Sequence, residues 1–306
     1  MNTSCKDGLH SVLAGHHPLR IIARRVARPL ALLGVCVVLA ACTTTRLAYN
    51  QAPTLSYWWI HRHVDLNDTQ TAQTREDLKT FFQWHRSQEL PAYAGLLQQW
   101  QAMATDRLTP AQACTQLDDI RARLDRVAEE AVEPLARLAR RLSPEQLEHL
   151  KQRQARSNAD FEKDFLRGSP EQRLNKRLDK AVERSESFYG TLSTAQRELL
   201  RELLQTSPFD PQRTQSERLR RQADLLQTVR DVQASPARAE QLVREHIDRI
   251  RQSPDPAYQA YSEALLRQSC NQFAALHNST TAEQRASAVR ALKAYEDDFR
   301  TLHAQR

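Results

Sequence analysis

His61, Arg62, His63 and Asp65 sit within five positions of one another, and His85 shares a helical face with Leu78, Phe81 and Phe82. Imidazoles and carboxylates are the ligands of zinc sites. Residues two apart do not share a helix face, so His61 and His63 would meet at a metal only if the helix ended near Trp59 or Ile60 and the chain ran on extended, with His85 joining. Surface or capping histidines account for the same residues without a metal. A second charged group, Glu129, Glu130 and Glu133, lies beside Arg126 and Arg137, which at this spacing reads as ion pairing along a helix. No Gly-rich phosphate loop, Cys-x-x-Cys, His-Glu-x-x-His or nucleophile elbow occurs, and no acid/base pair is arranged for catalysis. The expectation is a non-enzymatic protein with no cofactor and no assigned metal, His61, His63, Asp65 and His85 being the candidate ligands should one bind.

The remaining chemistry belongs to cysteine. Cys42 ends the tetrapeptide Leu39-Ala40-Ala41-Cys42, which closes an apolar run from Leu30 behind the basic residues Arg20, Arg24, Arg25 and Arg28. A charged region, a short apolar region and small residues before a cut are the parts of a secretory signal peptide. The run is about 12 residues, short of the ~20 of a spanning helix. The tetrapeptide resembles the lipobox of bacterial lipoproteins. That resemblance implies diacylglyceryl transfer to the Cys42 thiol, cleavage after Ala41 and acylation of the new amino terminus. Several acyl chains then anchor a protein that spans nothing. The residues around Arg24-Arg25 resemble a twin-arginine signal poorly, which favours general secretion. Thr43, in place of an acid, resembles the sorting rule for the outer membrane, so the expected place is the cell envelope, on the outer membrane facing the periplasm. Cys114 and Cys270 are then the remaining pair. An oxidising periplasm allows a disulfide between them; two unpaired buried thiols are the other reading, since geometry is not written in spacing.

The signal carries five basic residues and one acid, so its removal lowers the formal charge from +7 to +3. That weakens any nucleic-acid reading built on net charge. After residue 41 only Gly95, Gly168 and Gly190 remain, and Ala, Leu, Arg, Gln and Glu, all good helix formers, dominate. The fold class expected is all-α: an extended multi-helix bundle following a cleaved N-terminal lipoprotein signal peptide. Helix starts are marked by capping boxes at Asn67–Gln70, Thr109–Gln112, Ser143–Gln146, Ser169–Gln172, Ser193–Gln196 and Thr281–Gln284. Their spacing is irregular, which excludes a solenoid. They place helices near residues 47–63, 68–106 (bent at Pro91), 110–141 (kinked at Pro134), 144–166, 170–189, 194–205, 212–233, 236–252, 257–277 and 281–303. Pro-rich breaks at 207–211 and 253–256 suggest a signal segment 1–41, an N-terminal unit 42–206 and a C-terminal unit 207–306, the last two forming one continuous domain in the alternative reading. The aromatic residues Trp58, Trp59, Phe81, Phe82, Trp84 and Trp100 cluster in the N-terminal segment and read as core, or else as a platform beside the lipid anchor.

The residues Leu47-Ala48-Tyr49-Asn50, Trp58-Trp59, Val64-Asp65-Leu66-Asn67, Gln70, Trp84-His85-Arg86 and Pro91-Ala92-Tyr93 resemble the opening of an uncharacterised family of proteobacterial lipoproteins, known only as a domain of unknown function. The resemblance implies the same anchored, helical architecture and no known activity. The Leu-Thr/Ser-x-x-Gln steps at Leu108–Gln112, Leu142–Gln146 and Leu192–Gln196 are similar to the motif of Spy- and CpxP-type periplasmic chaperones, which implies a cradle for unfolded or maturing envelope proteins. The expected partners are the membrane, through acyl chains on Cys42, and a protein of the envelope; nucleic acid is not among them.

Overall fold

Capping residues decide where this chain turns. In the computed structural model, which describes residues 45–305, all six of the capping boxes close: each first side chain accepts from the amide three residues on, and each Gln side chain accepts from the first residue's own amide. Residues 45–50 are helical, and twelve α-helices follow. They are α1 (Ala52–Val64), α2 (Asp68–Trp84), α3 (Leu90–Met103), α4 (Pro110–Glu130), α5 (Val132–Ala139), α6 (Pro144–Phe161), α7 (Pro170–Tyr189), α8 (Thr194–Gln205), α9 (Pro211–Ala234), α10 (Ala239–Arg251), α11 (Pro256–Asn278) and α12 (Ala282–Ala304). The fold class is all-α, with no strand among the described residues.

Two expected long helices are interrupted for identifiable reasons. The 68–106 segment passes through a π-turn at His85–Glu89 before Pro91, which occupies the first turn of α3. The 110–141 segment breaks at Ala131, three residues before Pro134. A helical proline crowds the carbonyl four residues back, and for Pro134 that carbonyl belongs to Glu130, where α4 ends.

Helix pairing repeats along the chain. In the first half α1 packs on α2 and on α6, and α2 on α5; in the second half α7 packs on α8 and on α12, and α8 on α11. The contacts between halves repeat as well: α3 on α12 matches α9 on α6, and α4 on α11 matches α10 on α5. Residues 46–306 form one compact unit, and the stretch 207–211 runs within it.

Each half is pinned by a pair of glutamines from two capping boxes. At the starts of α2 and α6, Gln70 Nε2 donates to Gln146 Oε1 at 3.0 Å while Gln146 Nε2 donates to Gln70 Oε1 at 2.6 Å. Gln70 also donates to the Arg141 carbonyl and Gln146 to the Asp65 carbonyl. At the starts of α8 and α12, Gln196 and Gln284 exchange the same two bonds at 2.7 and 3.0 Å and donate to the Ser279 and Thr191 carbonyls. Each side-chain oxygen also serves its own cap, so both hydrogens and both lone pairs of every amide are used. In these four boxes the Gln therefore caps one helix and clasps another.

Packing is distributed over three apolar clusters. One joins α5, α9 and α10 through Val132, Ala136, Val229, Val232, Ala239 and Val243. A second joins α7, α8, α11 and α12 around Val182, Leu200, Leu276 and Ala288. The third joins α4 and α11 around Leu108, Ala113, Cys270 and Ala274. There the structure links Cys114 to Cys270 by a disulfide with its Cα atoms 5.3 Å apart.

Candidate functional site

The candidate metal ligands are not brought together, and the structure corrects that grouping. His63 is occupied by the Trp59 carbonyl one turn back, 2.7 Å from its Nδ1. His61 stacks on Tyr57. Asp65 takes the left-handed conformation that ends α1, at φ 58°. His85 lies in a separate aromatic group, with Nδ1 2.8 Å from the Tyr49 hydroxyl and its ring against Phe81, Phe82 and Tyr93. Burial lowers the His85 imidazole below its usual value, so it stays neutral there. No group of three or more His, Cys, Asp or Glu among the described residues could hold a metal ion.

Beside His85, Arg86 bonds to Asn50 and to the carbonyls of Leu302 and Gln305 at the end of α12. The Tyr49-Asn50 and His85-Arg86 pairs, far apart in sequence, thus tie the entering helix and the chain's last helix to one π-turn. Glu89 completes the turn. It is fully buried and held by Arg123 and Arg126 of α4, as a buried carboxylate requires.

The aromatic reading divides. Phe81, Phe82, Trp84 and Trp100 are partly buried. Trp58 and Trp59 are 53% and 63% exposed and are not core, because Leu55, Trp58 and Trp59 occupy an α1 face that no other described helix covers, Leu55 being 58% exposed. No helix among the described residues is long and apolar enough to cross a membrane. Cys42 and residues 1–41, the expected signal segment, lie outside the described residues.

The feature that sequence reasoning missed is a cavity of about 820 Å³ bounded by α3, α4, α7, α11 and α12. Space remains there because α4 is fastened to α11, and α7 to α8 and α12, so α4 and α7 are each committed elsewhere. Its walls are mostly apolar, with Trp100, Leu117, Phe188, Phe273 and Leu292 among them. Phe273 is 43% exposed, and the cavity reaches the surface beside it. At its buried end Tyr189 donates to His277 Nδ1 at 3.0 Å, and His277 Nε2 donates to the Asp106 carbonyl at 2.8 Å. A carbonyl can only accept, so the second bond fixes the tautomer and makes Nδ1 the acceptor. Burial pushes the Tyr189 hydroxyl up to about 12 and pulls the His277 imidazole down. Near neutral pH both groups are uncharged, and each is hydrogen-bonded to a described neighbour.

The cavity's charged residues are Arg177, Lys180 and Arg184, all on α7, and no carboxylate lines it among the described residues. Their spacing of three and four puts them on one stripe of the helix. None forms an ion pair with a described residue. Arg177 lies 4.7 Å from the centre of the Phe209 ring and Lys180 5.4 Å from that of Phe165. A second cavity of about 530 Å³ shares Phe165, Arg177, Leu204 and Phe209 with the first, so these residues form the partition between the two. In sequence the three cations stand among Asp179 and Glu183 and look like any solvated mixed-charge face; only the fold shows that the cations line the cavity and those acids do not.

No curated protein and no solved structure matches the chain. The described family that does match spans α2 to α9 completely, together with the clasp between Gln70 and Gln146. It leaves α11 and α12, two walls of the cavity, beyond its limit. Residues 62–247, more than half of the chain, match DUF6279, a family of unknown function, and the chain belongs to that family.

Proposed function

We propose that this is a lipid-anchored protein of the bacterial cell envelope, held on the outer membrane through Cys42, with a non-enzymatic binding role. The observation that carries the binding role is the cavity of about 820 Å³ bounded by α4, α7 and α11. Its size falls within the ~300–1,000 Å³ of small-molecule sites, and its mostly apolar wall suits a hydrophobic or amphipathic ligand. The anchor rests on the signal-like order of residues 20–42. The exposed Leu55, Trp58 and Trp59 follow Cys42 closely in sequence, and tryptophan is at home where bilayer meets water.

Native mass spectrometry of the protein extracted from membranes tests the binding role. A stoichiometric small-molecule adduct is expected, and it should be lost in Ser185→Trp and in Gln272→Trp, which fill the cavity from different walls. Ser185 bonds only back along its own helix, so its replacement leaves no partner stranded. An adduct that survives both changes, or no adduct in the parent, overturns the cavity as the binding site. For the anchor, Cys42→Ser should abolish acyl labelling and release the protein from membranes; persistent labelling overturns it.

A second reading, a cradle for unfolded or maturing envelope proteins, draws on the exposed Leu55–Trp58–Trp59 face, since apolar surface of that kind engages partners. It predicts suppression of client aggregation at low molar ratios that Trp58→Ser/Trp59→Ser abolishes. No effect on several clients removes it.

A further inference from the structure

We infer that the cavity takes a single-chain anionic amphiphile, its alkyl chain among Trp100, Leu117 and Leu292 and its anionic head on Arg177, Lys180 and Arg184; the inference rests on the reading of this cavity as a binding site. Three features of the cavity agree on the ligand's chemistry. Its charge is of one sign, with three cations and no carboxylate among the described residues that line it. Its charge is also on one side, since all three cations come from one stripe of α7 while the walls from α3 and α12 are apolar. Finally, the cations are unspent. Among the described residues, Arg177 has the Phe209 face and an electrostatic contact with Tyr261, and Lys180 has the Phe165 face, but neither has a carboxylate partner, and ring faces satisfy a cation less well than an anion does.

Burial adds to this at Arg177. The half-buried guanidinium is drawn below its ordinary value by desolvation, which is the condition of a cation that has lost water without gaining a counter-ion. An anionic head arriving between α7 and the Phe165–Phe209 partition relieves that cost. Lys180 and Arg184 are exposed and mark the mouth by which the head remains near solvent. Deeper in, Trp100 lines the cavity and its Nε1–H is buried with no acceptor among the described residues. A free inorganic anion leaves the apolar walls wet, and an uncharged alkane leaves the cations unmatched. Only a molecule with both parts answers the whole surface.

The test uses the full chain carrying Cys42→Ser, so that no acyl chain of its own competes, with displacement of dansyl-undecanoate as the readout. Competitors are palmitate, 1-palmitoyl-lysophosphatidylglycerol, hexadecanol, inorganic phosphate and a reduced, unfolded polypeptide. Palmitate or the lysophospholipid is expected to displace the probe about tenfold more tightly than hexadecanol, the worth of one charge-assisted hydrogen bond. The tighter of the two identifies a carboxylate or a phosphodiester head. Arg177→Gln/Lys180→Gln/Arg184→Gln should erase that tenfold preference while hexadecanol binding is unchanged. Lys180→Glu alone, a change at an exposed site, should weaken the anions and spare the alcohol. Equal displacement by palmitate and hexadecanol, insensitive to both variants, overturns the head-group assignment and leaves the cavity reading intact. Probe binding that is absent, or that persists in Ser185→Trp, overturns the cavity reading itself. Displacement by phosphate alone, or by the polypeptide alone, overturns the amphiphile.

Discussion

The seam between α4 and α11 and the seam between α5 and α10 occupy matching places in the repeated pairing of the helices, and they are joined in opposite ways. Where α5 meets α10, Val132, Ala136, Ala239 and Val243 interlock with Val229 and Val232 of α9, and the cluster is closed. Small and β-branched side chains let the helix axes approach. Where α4 meets α11, only Ala113, Cys270, Ala274 and Leu108 are buried together, beside the Cys114–Cys270 link. Beyond Leu117 the seam opens into the cavity. The helices before each seam differ in the same sense: α9 lies along α10, and α3 does not lie along α4 to a like degree. An open space in a helical bundle is thus obtained by holding two helices covalently at one point and withholding side chains beyond it. The closed seam shows what the same arrangement does when the side chains are supplied.

The largest predicted effect breaks the open seam. Cys114→Ser/Cys270→Ser removes a link across a sequence separation of 156 residues and should cost about 4–5 kcal/mol in the chain-entropy description. Urea unfolding with and without reductant measures it, and the parent protein should fall to the double variant's midpoint when reduced. An unchanged midpoint means that the apolar contacts alone hold α4 to α11.

The next effect concerns buried charge, which the two halves also treat differently. Glu89 reaches between elements, to Arg123 and Arg126 of α4. Glu217 of α9 is held by Arg220 and Arg221 of its own helix and by Ser253 beyond α10. Burial by itself would raise the Glu217 carboxyl, but the hydrogen bonds from Arg220, Arg221 and Ser253 outweigh it and bring the group down to about 2. Its folded value is below its unfolded one, so its contribution is complete above about pH 4.5 and is lost as pH falls toward about 2. Glu217→Gln should remove on the order of 2–3 kcal/mol at neutral pH and flatten the acid limb of the stability profile over that window. An acid limb unchanged by the substitution would assign that dependence to other carboxylates.

Fold class and helix starts were legible because capping is local. Asn67, Thr109, Ser143, Ser169, Ser193 and Thr281 act within four residues of themselves, and all six sites begin helices. The clasp between Gln70 and Gln146 was not legible. It depends on two boxes meeting across some 76 positions, and nothing in Thr109–Gln112 or Ser169–Gln172, which have no such partner, distinguishes them in sequence. The repeated pairing was hidden for a related reason, since helix lengths vary between halves, with α5 at 8 residues and its counterpart α11 at 23. Trp58 and Trp59 were misread because aromatic content suggests a core, whereas no described helix covers the face of α1 that carries them. Arg177, Lys180 and Arg184 were invisible as a group because Asp179 and Glu183 stand among them in sequence, while neither acid lines the cavity.

Packing provides a sharper contrast between the seams. Val232→Ala in the closed cluster, at a site with no exposure, should cost about 2 kcal/mol from two lost carbons and the gap they leave. Leu117→Ala removes more carbon but from a wall that already faces space, and should cost at most about 1 kcal/mol. Thermal or urea unfolding ranks the two. A larger loss from Leu117 would mean that the cavity wall is packed in solution, and the contrast between the seams would fail.

A last set of variants tests whether the two clasps are equivalent. Gln146→Leu strips a partner from Gln70 and leaves the Asp65 carbonyl without its donor, a loss of about 1–2 kcal/mol for buried groups left unpaired. Gln284→Leu does the same to Gln196 and Thr191 and should cost a similar amount. In each half the double variant, Gln70→Leu/Gln146→Leu or Gln196→Leu/Gln284→Leu, should cost less than the sum of its singles, because the second change removes a group that the first had already orphaned. Gln112→Leu provides the baseline. Its box is solvent-exposed and has no cross-partner, so it loses only its half of the cap, about 0.5 kcal/mol. If Gln146→Leu cost no more than Gln112→Leu, the glutamine pair would be a bystander of helix capping, and the corners would be set by Leu66 and Leu192 alone. The expected ordering, with both clasp residues above Gln112, instead makes the carboxamide pair the device that fixes the same corner in each half of the molecule.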